Sequence, residues 1–330
     1  MKESFLKMDN KESLPIFTAQ SLIDGSASRF LTPKEIIGLA VGTVLYFSWF
    51  YFLMGLRNEH TALYFILIGL YFTHSKTRQF LWAFGVYAVY WILYDSLRIV
   101  PNYTVNPVHI TELYNFEKHV FGIFTEGGIL TPNEYFKLNH TSFGDVMSAF
   151  FYINWMPIPL IFSIYLFMTN KPLMLKFAYT FFFVNLLGFV IYYAYPAAPP
   201  WYMEQYGAKI QQNVPSNAAG LLNFDKLFGL TFFQNLYQKN SNVFAAMPSM
   251  HSAFPVICFL CGLQLKKTWV NILFGTFALG IWFSAIYTRH HYISDVIVGA
   301  SVAVIGFYWF QYLSEKTKLK NYFAFLLTKF

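Results

Sequence analysis

Of 330 residues only 12% are Asp, Glu, Lys or Arg, whereas 56% are hydrophobic and 22% aromatic. That balance excludes an ordinary water-soluble domain, about a quarter of which would be charged, and makes lipid the main solvent. The formal charge of +7 excludes little until the positions of the basic residues are known, because membrane proteins gather Lys and Arg in cytoplasmic loops.

Along the chain, the opening MKESFLKMDNKESLPIF is charged throughout. It lacks the unbroken apolar core and small-residue cleavage pattern of a secretory signal, so residues 1–34 read as a polar cytoplasmic tail. Eight segments then reach the length and apolarity of a spanning helix, at 36–56, 61–74, 79–97, 146–168, 173–195, 248–265, 268–287 and 291–313. The second and sixth are short, which leaves six or seven spans as alternatives. Residues 35–75 carry the first two spans, 76–314 the other six, and 315–330 a basic C-terminal tail. Cys258 and Cys261 stand in an apolar C-F-L-C run and read as buried thiols rather than redox or zinc ligands.

Two long connections, near 98–145 and 196–247, separate these segments. In the first, Ile110, Leu113, Tyr114, Val120, Phe121 and Phe124 make a broken apolar stripe at helical spacing. It predicts a helix that either lies in the membrane interface or packs on the bundle. Asn102 and Asn139 stand in N-x-Thr sequons.

The basic residues test the span count. With a cytoplasmic N-terminus and eight spans, the inner segments hold Lys2, Lys7, Lys11, Arg29, Lys34, Lys76, Arg78, Lys171, Lys176, Lys266, Lys267, Lys316, Lys318, Lys320 and Lys329, which is 15 of 23. Short loops rich in Lys and long loops poor in it predict an N-in, C-in protein, both long loops lying on the extracytoplasmic or lumenal side. The charge therefore reports topology, and nucleic acid is not an expected partner.

Ionisable residues at the ends of spanning segments are costly and mark function. His251, in AAMPSMHSAF, opens the sixth span; His291 and Asp295, in YTRHHYISDVIVG, open the eighth. The N-in topology puts both starts on one face. His291 and Asp295 are four apart, within reach on one side of a helix, whereas His290 is offset. A carboxylate that orients one imidazole, with a second imidazole to protonate a leaving oxygen, suffices for phosphoryl transfer through a phosphohistidine. Ser249, after Pro248, adds a hydroxyl and free N–H groups of the kind that hold phosphate at helix starts. Interfacial histidines with a helix-capping aspartate, or a His/His/Asp metal site, are the alternatives.

These residues resemble a known family. MPSMHS is similar to the P-S-G-H motif, and H-Y-I-S-D to the H-x-x-x-D end of the last motif, of the type 2 phosphatidic acid phosphatase superfamily. YPAAPPWY, TRHHYISDVIVGA and ITELYNFEKHVFGI further resemble its inositol phosphorylceramide synthase branch, the aureobasidin-resistance type. The resemblance covers about residues 80–310. It implies an all-α, polytopic transmembrane bundle with a six-helix catalytic core, His291 as nucleophile, Asp295 as its orienter and His251 as general acid and base. It implies no metal or other cofactor. Its donor would be a phospholipid, phosphatidylinositol, and its acceptor a lipid alcohol, ceramide.

The departures matter. The lysine and Arg-Pro of the family's first phosphatase motif are missing where Pro196 to Tyr202 stands, Ser284-Ala285 replaces Ser-Arg, and Met250 replaces glycine. Phosphate charge must still be offset, and Arg289 and Arg98 are the candidate cations. Asp95, three residues before Arg98, competes for it as a helical partner. Trp201 and Tyr202 are substrate-side candidates that would equally suit an interfacial aromatic belt. Asp145 and Glu204 are either hydroxyl ligands or capping acids. A lipid phosphatase using water as acceptor is the nearest rival reading, and a transporter or scramblase the rival from another class.

Overall fold

A computed structural model describes residues 32–211, 214–238 and 242–329; the expected polar tail falls almost wholly outside them. The described chain is all-α apart from one short hairpin, and it separates into two compact units, ending at Leu81 and beginning at Trp82.

In the first unit α1 (Pro33–Trp49) starts at a capping box between Thr32 and Glu35. It runs through a π turn, Phe50–Met54, before α2 (Asn58–Thr73). His60 is buried, stacked on Phe50 with ring centroids 3.8 Å apart, and the Tyr46 hydroxyl donates to its carbonyl at 2.8 Å. The outward residues of α1, Ile37, Val44 and Leu45 among them, are exposed, as a lipid-facing helix requires. The third helix, α3 (Ser75–Ser96), carries the chain into the second unit.

There the first long connection folds into α4 (Thr111–Phe121), a hairpin of β1 (Ile123–Thr125) with β2 (Gly128–Leu130), and α5 (Pro132–Leu138). The expected span at 146–168 is broken. It forms α6 (Ser142–Ile153) and α7 (Pro157–Thr169), which bend by 44°. Pro157 and Pro159 explain the break, since prolines cannot donate to the preceding turn and sit comfortably only at a helix start. Next come α8 (Lys171–Ala194), then α9 (Pro200–Tyr206), α10 (Leu222–Phe228) and α11 (Phe232–Tyr237) in the second long connection. The chain closes with α12 (Met250–Leu263), α13 (Thr268–Tyr287), α14 (Ile293–Lys316) and α15 (Leu319–Leu327).

Every predicted segment is helical. Four helices are long and apolar enough to cross a membrane, at Pro33–Met54, Lys171–Ala194, Thr268–Tyr287 and Ile293–Lys316, and the bent pair makes a fifth candidate. The short α12 is the hub of the second unit, touching α7, α8, α13 and α14. Shielded on these sides by protein, it buries Phe254, Ile257, Cys258 and Cys261 completely. The segment expected as a basic C-terminal tail contains α15, whose Leu326 is buried and whose Phe323 and Leu327 pack on the same core.

Candidate active site

Both motif histidines sit where α12 and α14 begin. Ser249 is the N-cap of α12, its hydroxyl accepting from the Ser252 N–H at 3.3 Å and from the Ser252 hydroxyl at 3.0 Å. His251 lies in the first turn beyond it. Its ring stacks on Tyr152, centroids 4.9 Å apart, and meets the edge of Trp155 at 4.7 Å. Two aromatic walls therefore leave the imidazole little freedom to turn.

His291 comes from the connection between α13 and α14. Arg289 turns that connection with a left-handed φ of 64°, a conformation costing a side-chain-bearing residue about 1–2 kcal/mol. The Ala285 carbonyl then accepts from both the His290 and His291 N–H groups, at 3.1 and 3.0 Å. The Asn133 amide on α5 donates to the carbonyls of Ile286 and His291, at 2.8 and 2.9 Å. The strained turn is thus pinned from two sides, and its effect is to swing the His291 ring toward α12.

There His251 Nδ1 lies 3.1 Å from His291 Nε2. On the other side of the His291 ring, Asp295 Oδ2 is 3.6 Å from Nδ1. That is an ion-pair distance rather than a hydrogen bond, and His291 Nδ1 and Asp295 Oδ1 have no other partner. Asp295 Oδ2 also accepts from the Tyr292 N–H at 2.9 Å. The capping contact posed by the sequence is thus present, and the same carboxylate faces His291. His291 thus turns Nδ1 to the carboxylate and Nε2 to His251.

His251 also opens onto a cavity of about 580 Å³, lined by Tyr90, Trp91, Phe189, Tyr192, Phe254 and other largely apolar groups, with Asn185 and Asn242 among them. His290 faces elsewhere. Its Nδ1 pairs with the Thr288 hydroxyl at 2.9 Å and its ring packs on Tyr152 and Tyr237. Burial, and then His291 and Arg289, push its imidazole well below the ordinary value.

The other predicted residues have partners of their own. Arg98 holds Asp95 at 2.7 Å, so the helical pairing is realised. Arg289 lies 3.0 Å from Glu204, which also holds Lys137 at 2.6 Å. Trp201 and Tyr202 are not a peripheral belt but buried packing of the loop layer. The Trp201 N–H donates to the Arg289 carbonyl at 3.1 Å, and the Tyr202 hydroxyl donates to the Lys209 carbonyl at 2.8 Å. Asp145 is buried and bonded to His140, Asn223 and Tyr287. Sequence reasoning missed Asn133, which carries no motif signal, and read Asn102 only as a sequon, whereas its amide is fully buried and donates to the Tyr192 and Phe244 carbonyls, out of reach of a glycan.

The model of the PAP2 superfamily matches residues 129–309. The phosphoinositol dihydroceramide synthase of Bacteroides thetaiotaomicron is 41% identical over 293 residues, 88% of this chain and 96% of that protein. The inositol phosphorylceramide synthase of Candida albicans is 34% identical over 165 residues, 48% of this chain and 34% of its own. An inositol phosphorylceramide synthase catalytic subunit of Schizosaccharomyces pombe is 28% identical over 258 residues, 75% and 57%. No solved structure matches the chain significantly. With its two-histidine motifs on neighbouring helix starts and these relatives, the chain belongs to the PAP2 superfamily, on its inositol phosphorylceramide synthase-like branch.

Proposed function

We propose that this protein is a membrane lipid phosphotransferase that moves phosphoinositol from phosphatidylinositol to the hydroxyl of a ceramide, releasing diacylglycerol. The observation that carries the reading is the 3.1 Å approach of His251 Nδ1 to His291 Nε2, with Asp295 behind the second ring. The family and the Bacteroides relative, a phosphoinositol dihydroceramide synthase, support the substrate class.

The donor phosphodiester enters between the two rings and replaces their mutual contact. His291 Nε2 attacks phosphorus, the bond to the diacylglycerol oxygen breaks, and protonated His251 gives that oxygen its proton. Asp295 stabilises the positive charge that grows on His291. The acceptor hydroxyl then attacks the phosphohistidine, His251 takes its proton, and the P–N bond breaks. Both histidines return to their starting forms.

Arg289, and behind it Arg98, are the cations assigned to the phosphate, each exchanging a carboxylate partner to reach it. Ser249, Trp201 and Tyr202 shape its seat. The apolar cavity beside His251 supports a lipid acceptor rather than water, because a dry pocket protects the phosphohistidine from hydrolysis. By the distribution of Lys and Arg, the site lies on the extracytoplasmic or lumenal face, with both termini inside.

The test is direct. Purified protein in detergent should transfer labelled inositol phosphate from phosphatidylinositol to ceramide, and His291→Ala should abolish it. Transfer that survives that change refutes the mechanism. Release of inorganic phosphate from phosphatidate, without transfer, establishes the phosphatase instead.

A further inference from the structure

A carboxylate that the proposed chemistry does not use is buried beside it. Glu117 lies on α4 four residues after Leu113, on the face turned into the protein, and is 0% exposed. It interrupts an otherwise apolar stripe at the place where Leu or Phe would pack. Its Oε1 accepts from the Ile293 N–H at 2.6 Å; its Oε2 accepts from the Ser294 N–H at 3.3 Å and the Ser294 hydroxyl at 3.1 Å. All three donors belong to the first turn of α14, the turn between His291 and Asp295.

We infer that Glu117 is a positioning residue for catalysis, a carboxylate clamp from the loop layer that holds the start of α14 and thereby the spacing of His291 and Asp295. The first N–H groups of a helix have no partner within it, and the positive end of its dipole favours an anion there. Glu117 supplies both needs from outside the helix. Asp295 caps Tyr292 from within, and the Ser249 N–H reaches the Asp295 carbonyl at 3.0 Å. The start of α14 is thus fixed from α4, from itself and from the start of α12. Because Glu117 already fills it, that helix end is closed to the donor phosphate. Burial raises the Glu117 carboxyl above its ordinary range, while the three donors oppose that rise.

This inference rests on the transferase reading, and its test separates the two. Glu117→Gln keeps the shape but turns an amide N–H toward the donors of α14. In purified protein it should lower kcat by about 10- to 100-fold, the scale of a small misplacement of reacting groups, with KM for donor and acceptor little changed. Hydrogen exchange of the wild-type protein should show the amides at 293–294 protected, and the variant should lose that protection while α12 keeps its own. If Glu117→Gln does not fold, Ser294→Ala, which removes one donor and keeps the carboxylate, should lower kcat a few-fold at an unchanged melting temperature. A kcat equal to wild type, or a loss explained entirely by the unfolded fraction, overturns the positioning role. So does rapid exchange at 293–294 in the wild type. Absence of transfer by the wild-type protein counts against the transferase reading, and exchange still decides the clamp.

Discussion

Gly299 on α14 faces the Ser249 backbone so closely that a Cβ at this position would land on the Ser249 carbonyl. The same Ser249 receives α14 through its N–H, which donates to the Asp295 carbonyl at 3.0 Å. The helix start that carries His251 and the helix that carries Asp295 therefore meet through backbone, without side chains that can yield. Gly299→Ala should push the two starts apart, destabilising the protein by about 1–3 kcal/mol. It should lower transfer by roughly tenfold or more. A variant with wild-type melting temperature and wild-type rate would mean that this approach does not set the site.

Asp295 has two roles that one substitution can separate. Asp295 is the third residue of α14 and accepts from the N–H of its N-cap, Tyr292; an asparagine Oδ1 can accept the same bond, so Asp295→Asn should cost about 1 kcal/mol or less in stability. It cannot stabilise a charged His291, so kcat should fall on the order of a thousandfold. A large loss of stability with little loss of rate per folded molecule would make Asp295 a cap alone.

Asn133 joins α5 to the strained turn before His291 through two carbonyls. Asn133→Leu keeps the volume, removes the side-chain donor of the His291 carbonyl and leaves the Ile286 carbonyl only its backbone donor from Arg289, which should destabilise by about 1–3 kcal/mol and lower the melting temperature in detergent accordingly. An unchanged melting temperature would show that the turn holds its shape unaided.

The apolar cavity is assigned to the acceptor, and Ala245 is among the residues lining it. Ala245→Phe should raise KM for ceramide while leaving formation of the phosphohistidine from phosphatidylinositol intact. Rapid-quench detection of labelled enzyme separates the two half-reactions. Equal damage to both would show that the cavity serves the donor.

His290 predicts a pH dependence of stability. It is held neutral in the folded protein because burial, and then His291 and Arg289, push its pKa well below the ordinary imidazole value. As pH falls below that value, the unfolded chain binds a proton that the folded protein refuses, so stability decreases with falling pH and is unaffected well above it. The melting temperature of wild type should drop between about pH 7 and 5 more steeply than that of His290→Gln. Parallel curves would refute the assignment.

The meeting of His251, His291 and Asp295 was legible because its grammar is local. Asp295 follows His291 by one helical turn, and His251 follows a Pro-Ser start, so spacing and topology bring the two motifs to one end of a bundle. Helix at each of the eight apolar segments was legible because lipid demands long apolar runs, but among the described residues only four helices, or five with the bent pair, are long and apolar enough to span. The break between Ile153 and Pro157 was only half legible: the prolines were visible, but the run of Phe, Ile and Leu around them read as continuous. Glu117 left a faint trace as one acid in an apolar stripe. Asn133 left none and Asn102 only a misleading sequon, because a buried amide that ties carbonyls is indistinguishable from a surface one until its partners are known.

Composition and periodicity by themselves determined that this chain lives in lipid as helices and that two histidines and an aspartate stand at helix starts. These follow from solvent and from backbone geometry, which act residue by residue. Only the tertiary structure decided that Nδ1 of one imidazole faces Nε2 of the other, that Asp295 accepts from the Tyr292 N–H while lying 3.6 Å from His291 Nδ1, and that Arg98 and Arg289 already hold carboxylates. Those outcomes depend on contacts between residues far apart in the chain, where packing and the need to satisfy every buried polar group choose among partners that sequence alone leaves equal.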